Sequence, residues 1–426
     1  MSSKPIESFT TSLTLPAGLG HRPYALTHCL LYTGSEVWQN HALVIDGPRI
    51  AAVVPEAQID PEMPRLDGQG WAAAPGLIDL QLNGCGGVMF NHAITADTLD
   101  TMHRTNLRSG TTSFLPTLIT TTDEDMVAAI ALVTQYRRCH PHRVLGLHLE
   151  GPYLNPKRGG IHNQAHIRPS DATMVRHIAK AGPEVVRLIT LAPEMVPTAH
   201  IQQLAGVGIL VSAGHSEASF EAAVAGFEAG VGMVTHLFNA MSPWQGRSPG
   251  LVGAALRRPD IYAGIIADGH HVHYGSVGLA QQIKQDHLVL VTDATPPVGT
   301  ALESFMIGGQ QVFYRNGKCL SADGTLGGAA LTLIEAVENC VRQVGIPLAE
   351  ALRLATLYPA QAIGVDADLG RLAPGYRANI TLFDPLTFTV EGVIDQGRLA
   401  WSRASGGVAH SPAAEAAGPP SSGCAG

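Results

Sequence analysis

Residues 144–155 read VLGLHLEGPYLN. The run Val144–Glu150 is short, rich in Leu and Val, and broken at once by Gly151-Pro152, which makes it a buried strand closing on a carboxylate. Seven further runs of this texture lie on either side: GLIDLQL (76–82), TTSFLPTL (111–118), RLITLAP (187–193), GILVSAG (208–214), GMVTHLF (232–238), YAGIIAD (262–268) and LVLVTD (288–293). Stretches of helical length and period separate them, such as TADTLDTMHRTNLRSG (95–110), DEDMVAAIALVTQYRR (123–138) and EASFEAAVAGFEAG (217–230). Eight βα units in series predict an α/β fold, a TIM (β/α)8 barrel over 75–368.

Outside the barrel the period shortens. Ala25 to Pro55 and Arg371 to Arg403 are short alternating runs punctuated by Gly and Pro, as in GRLAPGYRANITLFDP (370–385). These ends, 1–74 and 369–404, are expected to build one small β-sandwich from both chain ends. Residues 405–426 are Ala, Gly, Pro and Ser with almost no large apolar groups, the composition of a disordered tail.

The whole-chain numbers bound the function. Lys+Arg 27 and Asp+Glu 35 in 426 residues give 15% charged residues and a net charge of −8, which excludes a disordered chain and argues against nonspecific nucleic-acid or anionic-membrane binding. No stretch approaches the ~18 continuous apolar residues of a membrane span. Six scattered cysteines without a CxxC pair form no disulfide framework. With no leader-like start, a cytoplasmic location is expected.

In a barrel of this kind chemistry sits at the carboxyl ends of the strands. The third run closes on Glu150, the fifth on His215, the sixth on His236, the seventh on Asp268 before His270 and His271, and the eighth on Asp293. Glu150, His215 and His236 supply one carboxylate and two imidazoles, a set suited to Zn²⁺ or another divalent transition ion with an open position for water. A lone His at a strand end is more often structural, but a carboxylate buried beside two imidazoles is costly without an ion. Asp293 is placed to move a proton between that water and a leaving group, against the simpler role of a helix cap. Arg247 is a candidate clamp for a phosphate or carboxylate, with surface solvation as the alternative. His162 and His271 are candidate substrate donors on spacing that fits ordinary surface loops equally well.

These segments, taken with Lys157, resemble the N-acetylglucosamine-6-phosphate deacetylases of the amidohydrolase superfamily. The matching stretches are PGLIDLQLNGCGG (75–87), GTTSFLPT (110–117), HLEGPYLN (148–155), GHSEASF (214–220), THLFNAM with GRSPGLVG (235–253), ADGHHVH (267–273), VTDA (291–294) and GTLGGAALTL (324–333). The resemblance implies Glu150, His215 and His236 as metal ligands, Asp293 as catalytic acid/base and His162 beside the amide carbonyl. It implies Asn239, Ala240, Arg247 and His271 as sugar-phosphate contacts and Leu326 beside the acetyl group. It also implies a homodimer acting on a small amino-sugar phosphate. Where many superfamily members have His-x-His, this chain has Gln81-x-Asn83. Amides are poor replacements for imidazoles at a transition metal, so one ion per subunit is expected, zinc by ligand preference, with Gln81 and Asn83 marking a vestigial second site. The nearest rival is another amidohydrolase reaction, on N-acetylgalactosamine 6-phosphate or another N-acyl amino sugar, since one epimeric hydroxyl is decided by loop geometry. A catalytically silent barrel serving as a binding protein is the rival from another class, disfavoured because every metal and acid/base position is kept.

Overall fold

The computed structural model describes residues 22–404 and the backbone of 407–408. Its centre is an eight-stranded parallel sheet in sequential order. We label the strands β1 (Leu77–Leu82), β2 (Thr111–Ile119), β3 (Leu147–Glu150), β4 (Val186–Leu191), β5 (Leu210–Ala213), β6 (Val231–Val234), β7 (Tyr262–Ile265) and β8 (Leu288–Leu290). All eight predicted runs are strands. β8 and β1 share no regular ladder. The ring closes beyond the end of β8 through a bridge between Leu82 and Ala294 and through Asp293 N–H donating to the Gln81 carbonyl at 3.0 Å. That closure brings Asp293 beside Gln81 and Asn83.

Helices form where the chain supplies starts and apolar stripes. Thr122 accepts the Asp125 N–H ahead of Asp123–Cys139, whose first turn carries Asp123, Glu124 and Asp125 and whose last turn carries Arg137 and Arg138, matching the helix dipole. Ser219 caps Phe220–Ala229, which ends on Gly230 in a left-handed conformation.

Both chain ends share one sheet. Ile380–Phe383 pairs antiparallel with Ala72–Pro75 in a seven-stranded sheet, which faces a four-stranded sheet containing Tyr24–Thr27 and His41–Asp46. Leu26, Leu43, Ile45, Ile380 and Ile394 form the core between them. Gly407 and Val408 pair with Ser402 and Trp401, so the sheet continues into the stretch read as tail. The remainder of that tail lies outside the described residues. Cys29, Cys85, Cys319 and Cys340 are free and buried.

One element has no counterpart in the sequence reading. After β8 a three-stranded antiparallel sheet, Ser304–Ile307, Gln310–Arg315 and Lys318–Ser321, folds over the mouth of the barrel. Its own small core joins Phe305, Ile307 and Val312 to Ile119 and Ile161. The signals for it are the two-residue turns Gly308-Gly309 and Asn316-Gly317, all four residues with positive φ.

Candidate active site

Three side chains from three strand ends converge at the mouth. Glu150 Oε1 lies 3.2 Å from His215 Nε2 and 3.1 Å from His236 Nε2, and the two nitrogens are 3.0 Å apart. All three residues are buried. The His215 Nδ1 is 2.8 Å from the Arg158 carbonyl, which only accepts, so Nδ1 carries the proton and Nε2 presents a lone pair. A tetrahedral ion with bonds of ~2.0–2.1 Å has ligand edges of roughly 3.3 Å, close to this triangle. The donor set therefore fits one divalent ion, and it is the one cluster of this kind among the described residues. Burial pushes the Glu150 carboxyl up, but the facing His215 and His236 imidazoles outweigh that and hold it well below the usual range.

The backbone is strained where these groups are presented. His215, His236 and Asp293 have φ of 48°, 34° and 52°, and Phe238 and Ala240 have φ of 80° and 48°. Left-handed conformations at non-glycine residues persist only where surrounding structure enforces them, and they cluster at functional sites.

Asp293 stands across from the triangle. Its Oδ1 accepts from Asn83 Nδ2 at 2.6 Å and from Gln81 Nε2 at 3.2 Å, and Gln81 Nε2 also reaches Glu150 Oε1 at 3.2 Å. The two amides thus donate to the carboxylates. Burial, with the Glu150 charge, holds Asp293 above the ordinary carboxylate range. Gly328 is required behind it: φ is +73°, and a Cβ there would lie 2.4 Å from Thr295 Cγ2. The Ala329 N–H donates to the Asp293 carbonyl at 2.9 Å, which brings Leu326 to the cavity.

Glu150, His215, His236, Asn83 and Asp293 line one cavity of about 330 Å³, whose wall also includes His162, Asn239, Ala240, His271 and Leu326. His162 is buried, with Nδ1 2.8 Å from Thr120 Oγ1, leaving Nε2 for a ligand; burial and the nearby His215 push it down to about 3, so it is neutral. Arg247 is not brought there. It sits in an exposed turn closed by reciprocal hydrogen bonds between Gln245 and Ser248, beside an exposed Trp244. The cations on the cavity wall are Lys157 and Arg158, neither of which carries a role in the sequence reading. His148 is also absent from it. Two residues before Glu150, and so on the same face of β3, it is buried and bridges Thr117 Oγ1 (3.1 Å) and Thr190 Oγ1 (2.8 Å), and burial pushes it down to about 4. The alternation H-x-E was the signal available for it.

A model of the amidohydrolase family matches residues 72–403, and a NagA composite-domain model matches residues 23–72. The chain is 43% identical over 378 residues to the N-acetylglucosamine-6-phosphate deacetylase of Haemophilus influenzae, covering 88% of this chain and 98% of that one. It is 38% identical over 312 residues to the N-acetylgalactosamine-6-phosphate deacetylase of a Shewanella species, covering 72% and 78%. Among solved structures, the N-acetylglucosamine-6-phosphate deacetylase of Pasteurella multocida superposes with a TM-score of 0.87 at 45% identity, over 88% of this chain and 99% of that one.

Proposed function

The chain belongs to the amidohydrolase family, and from that premise we propose that it hydrolyses the acetamide of N-acetylglucosamine 6-phosphate to glucosamine 6-phosphate and acetate. The observation that carries the reading is the Glu150–His215–His236 triangle with Asp293 on the same cavity wall. A divalent ion held by the triangle supplies Lewis acidity toward the amide carbonyl and the attacking water. We assign one ion, zinc, because the position of a second is taken by the Gln81 and Asn83 amides, which donate to Asp293. Asp293 accepts the proton of the attacking water and returns it to the departing sugar amine, for which a carboxylate held above its usual range is suited. Neutral His162 packs beside the amide carbonyl, Leu326 packs beside the acetyl methyl, and Asn239, Ala240 and His271 take the sugar phosphate.

We extend the proposal to a homodimer, in which the exposed turn with Trp244 and Arg247 reaches the partner's cavity. That arrangement accounts for a cationic side chain of the resemblance standing off its own cavity wall. A phosphorylated, membrane-impermeant substrate supports a cytoplasmic location. The described residues contain no helix long and apolar enough to cross a membrane. A second reading, the galacto epimer, is favoured by the Shewanella relative.

The test is acetate release from both epimeric 6-phosphates by untreated, chelator-stripped and re-metallated protein. Release should vanish on stripping, return with one equivalent of Zn²⁺, and show the higher kcat/KM on the gluco epimer. Preference for the galacto epimer would transfer the assignment, and no release from protein that holds metal would overturn it.

A further inference from the structure

Asp268 follows β7 and does not line the catalytic cavity, yet it holds a residue that does. Its Oδ2 lies 2.6 Å from His271 Nδ1, and its Oδ1 accepts the backbone N–H groups of His270 (2.8 Å) and His271 (2.7 Å). Both side chains of the pair are less than 10% exposed, at 8% and 6%. A carboxylate has only acceptors to offer, so the His271 proton resides on Nδ1 and Nε2 is the ring atom left for the cavity.

The local backbone enforces this geometry. Gly269 has φ +73°, and a Cβ there would lie 2.7 Å from the ring of Tyr274. On the other side His273 accepts the Gly275 N–H and caps the helix Tyr274–Lys284. His271 is thus fixed between a carboxylate-bound turn and a capped helix. The far side of Asp268 faces a separate cavity of about 290 Å³ shared with Gly317, Glu335 and Asn339.

We infer that Asp268 is a positioning residue for sugar-phosphate binding, acting through the tautomer and rotamer of His271. The inference rests on the reading above that His271 contacts the substrate. With Nδ1–H committed to Asp268, Nε2 faces a phosphate oxygen, and one proton taken up from solvent with the substrate completes the charge-assisted hydrogen bond between them. Asp268 touches neither the scissile amide nor the metal triangle, so its loss bears on binding rather than on the chemical step.

The experiment compares Asp268→Asn, His271→Gln and the double variant in the metal-loaded enzyme, using N-acetylglucosamine 6-phosphate and the unphosphorylated sugar. Asn keeps the wall between the two cavities. Asp268→Asn should raise KM for the phosphorylated sugar about tenfold with kcat within about twofold, as expected for one misaligned charge-assisted contact. Its kcat/KM on the free sugar should be unchanged, and the double variant should be no worse than His271→Gln alone. Asp268→Glu, which restores a carboxylate, should recover part of the lost KM and guards against an Asn variant that folds poorly. Additive effects in the double variant, or equal losses on both sugars, would show that Asp268 only supports the fold and would overturn the inference. A normal KM in His271→Gln would overturn it through its premise instead, a failure visible in that single variant.

Discussion

Glu150 and Asp293 are two carboxylates of one cavity driven apart by their neighbours. Glu150 faces two imidazoles and is held ionised, whereas Asp293 faces two neutral amides and the Glu150 charge. Asp293→Asn retains the acceptor for Asn83 and Gln81 and removes the proton shuttle. It should lower kcat by about 10²–10⁴-fold with metal content and KM held, measured by steady-state kinetics beside metal analysis. At this scale the sequence was legible where a polar residue closed an apolar run, which is how Glu150, His215, His236 and Asp293 stand out. Asp268 closes a run as well, but its partner His271 is identified only by the turn at Gly269. Arg247 reads as a clamp and lies on an exposed turn, because a motif carries residue type and order but not where a loop of one chain points.

Lys284 shows how an element's end can carry a titrating group. Where the helix Gly250–Arg257 ends, the Ala255 carbonyl accepts the Arg258 N–H at 3.3 Å, and the buried Lys284 Nζ donates to the same Ala255 carbonyl at 3.2 Å and to the Arg258 carbonyl at 2.6 Å. Burial pushes the ammonium down to about 8, against ~10.4 in an open chain. Below the folded value both states hold the proton and stability is flat. Between the two values the unfolded chain retains a proton that the folded chain has released, so the lysine's contribution to stability rises with pH. The stability of wild type relative to Lys284→Met should therefore rise from pH 8 to pH 10 in urea melts. An unchanged difference would show an amine that titrates alike in both states. The eight strands were legible because a buried parallel strand needs a continuous apolar run. The sheet over the mouth escaped that pattern because its strands are half-exposed, as in Gln310–Arg315, and only its glycine turns distinguish it.

The barrel and the sandwich are joined covalently at a close approach of the chain. Ala72–Pro75 belongs to the sandwich, Leu77–Leu82 is β1, and between them stands Gly76, where a Cβ would lie 2.2 Å from Thr112 Oγ1. A second tie is the buried pair His103 and Asp395, 3.2 Å apart, linking the helix Ala96–Leu107 to the strand Val390–Asp395. A third is Thr381 Oγ1 donating to the Gly110 carbonyl at 2.6 Å. The texture of the two ends shows that they share a sheet; the second and third of these contacts, between residues hundreds of positions apart, are invisible to periodicity. They imply that the two parts unfold together. Nature supplies the probes: of the four tryptophans, Trp38 and Trp401 lie in sandwich strands and Trp71 directly precedes one, while catalysis reports on the barrel mouth. In a urea titration of the metal-loaded protein, tryptophan fluorescence and residual acetate release should share one midpoint. The variant His103→Ala, which leaves Asp395 buried without its partner, should shift both midpoints down together by the equivalent of about 3 kcal/mol. Fluorescence that changes while activity persists would instead mean that the sandwich opens alone, and that the barrel holds its metal triangle without the sheet built by the chain ends.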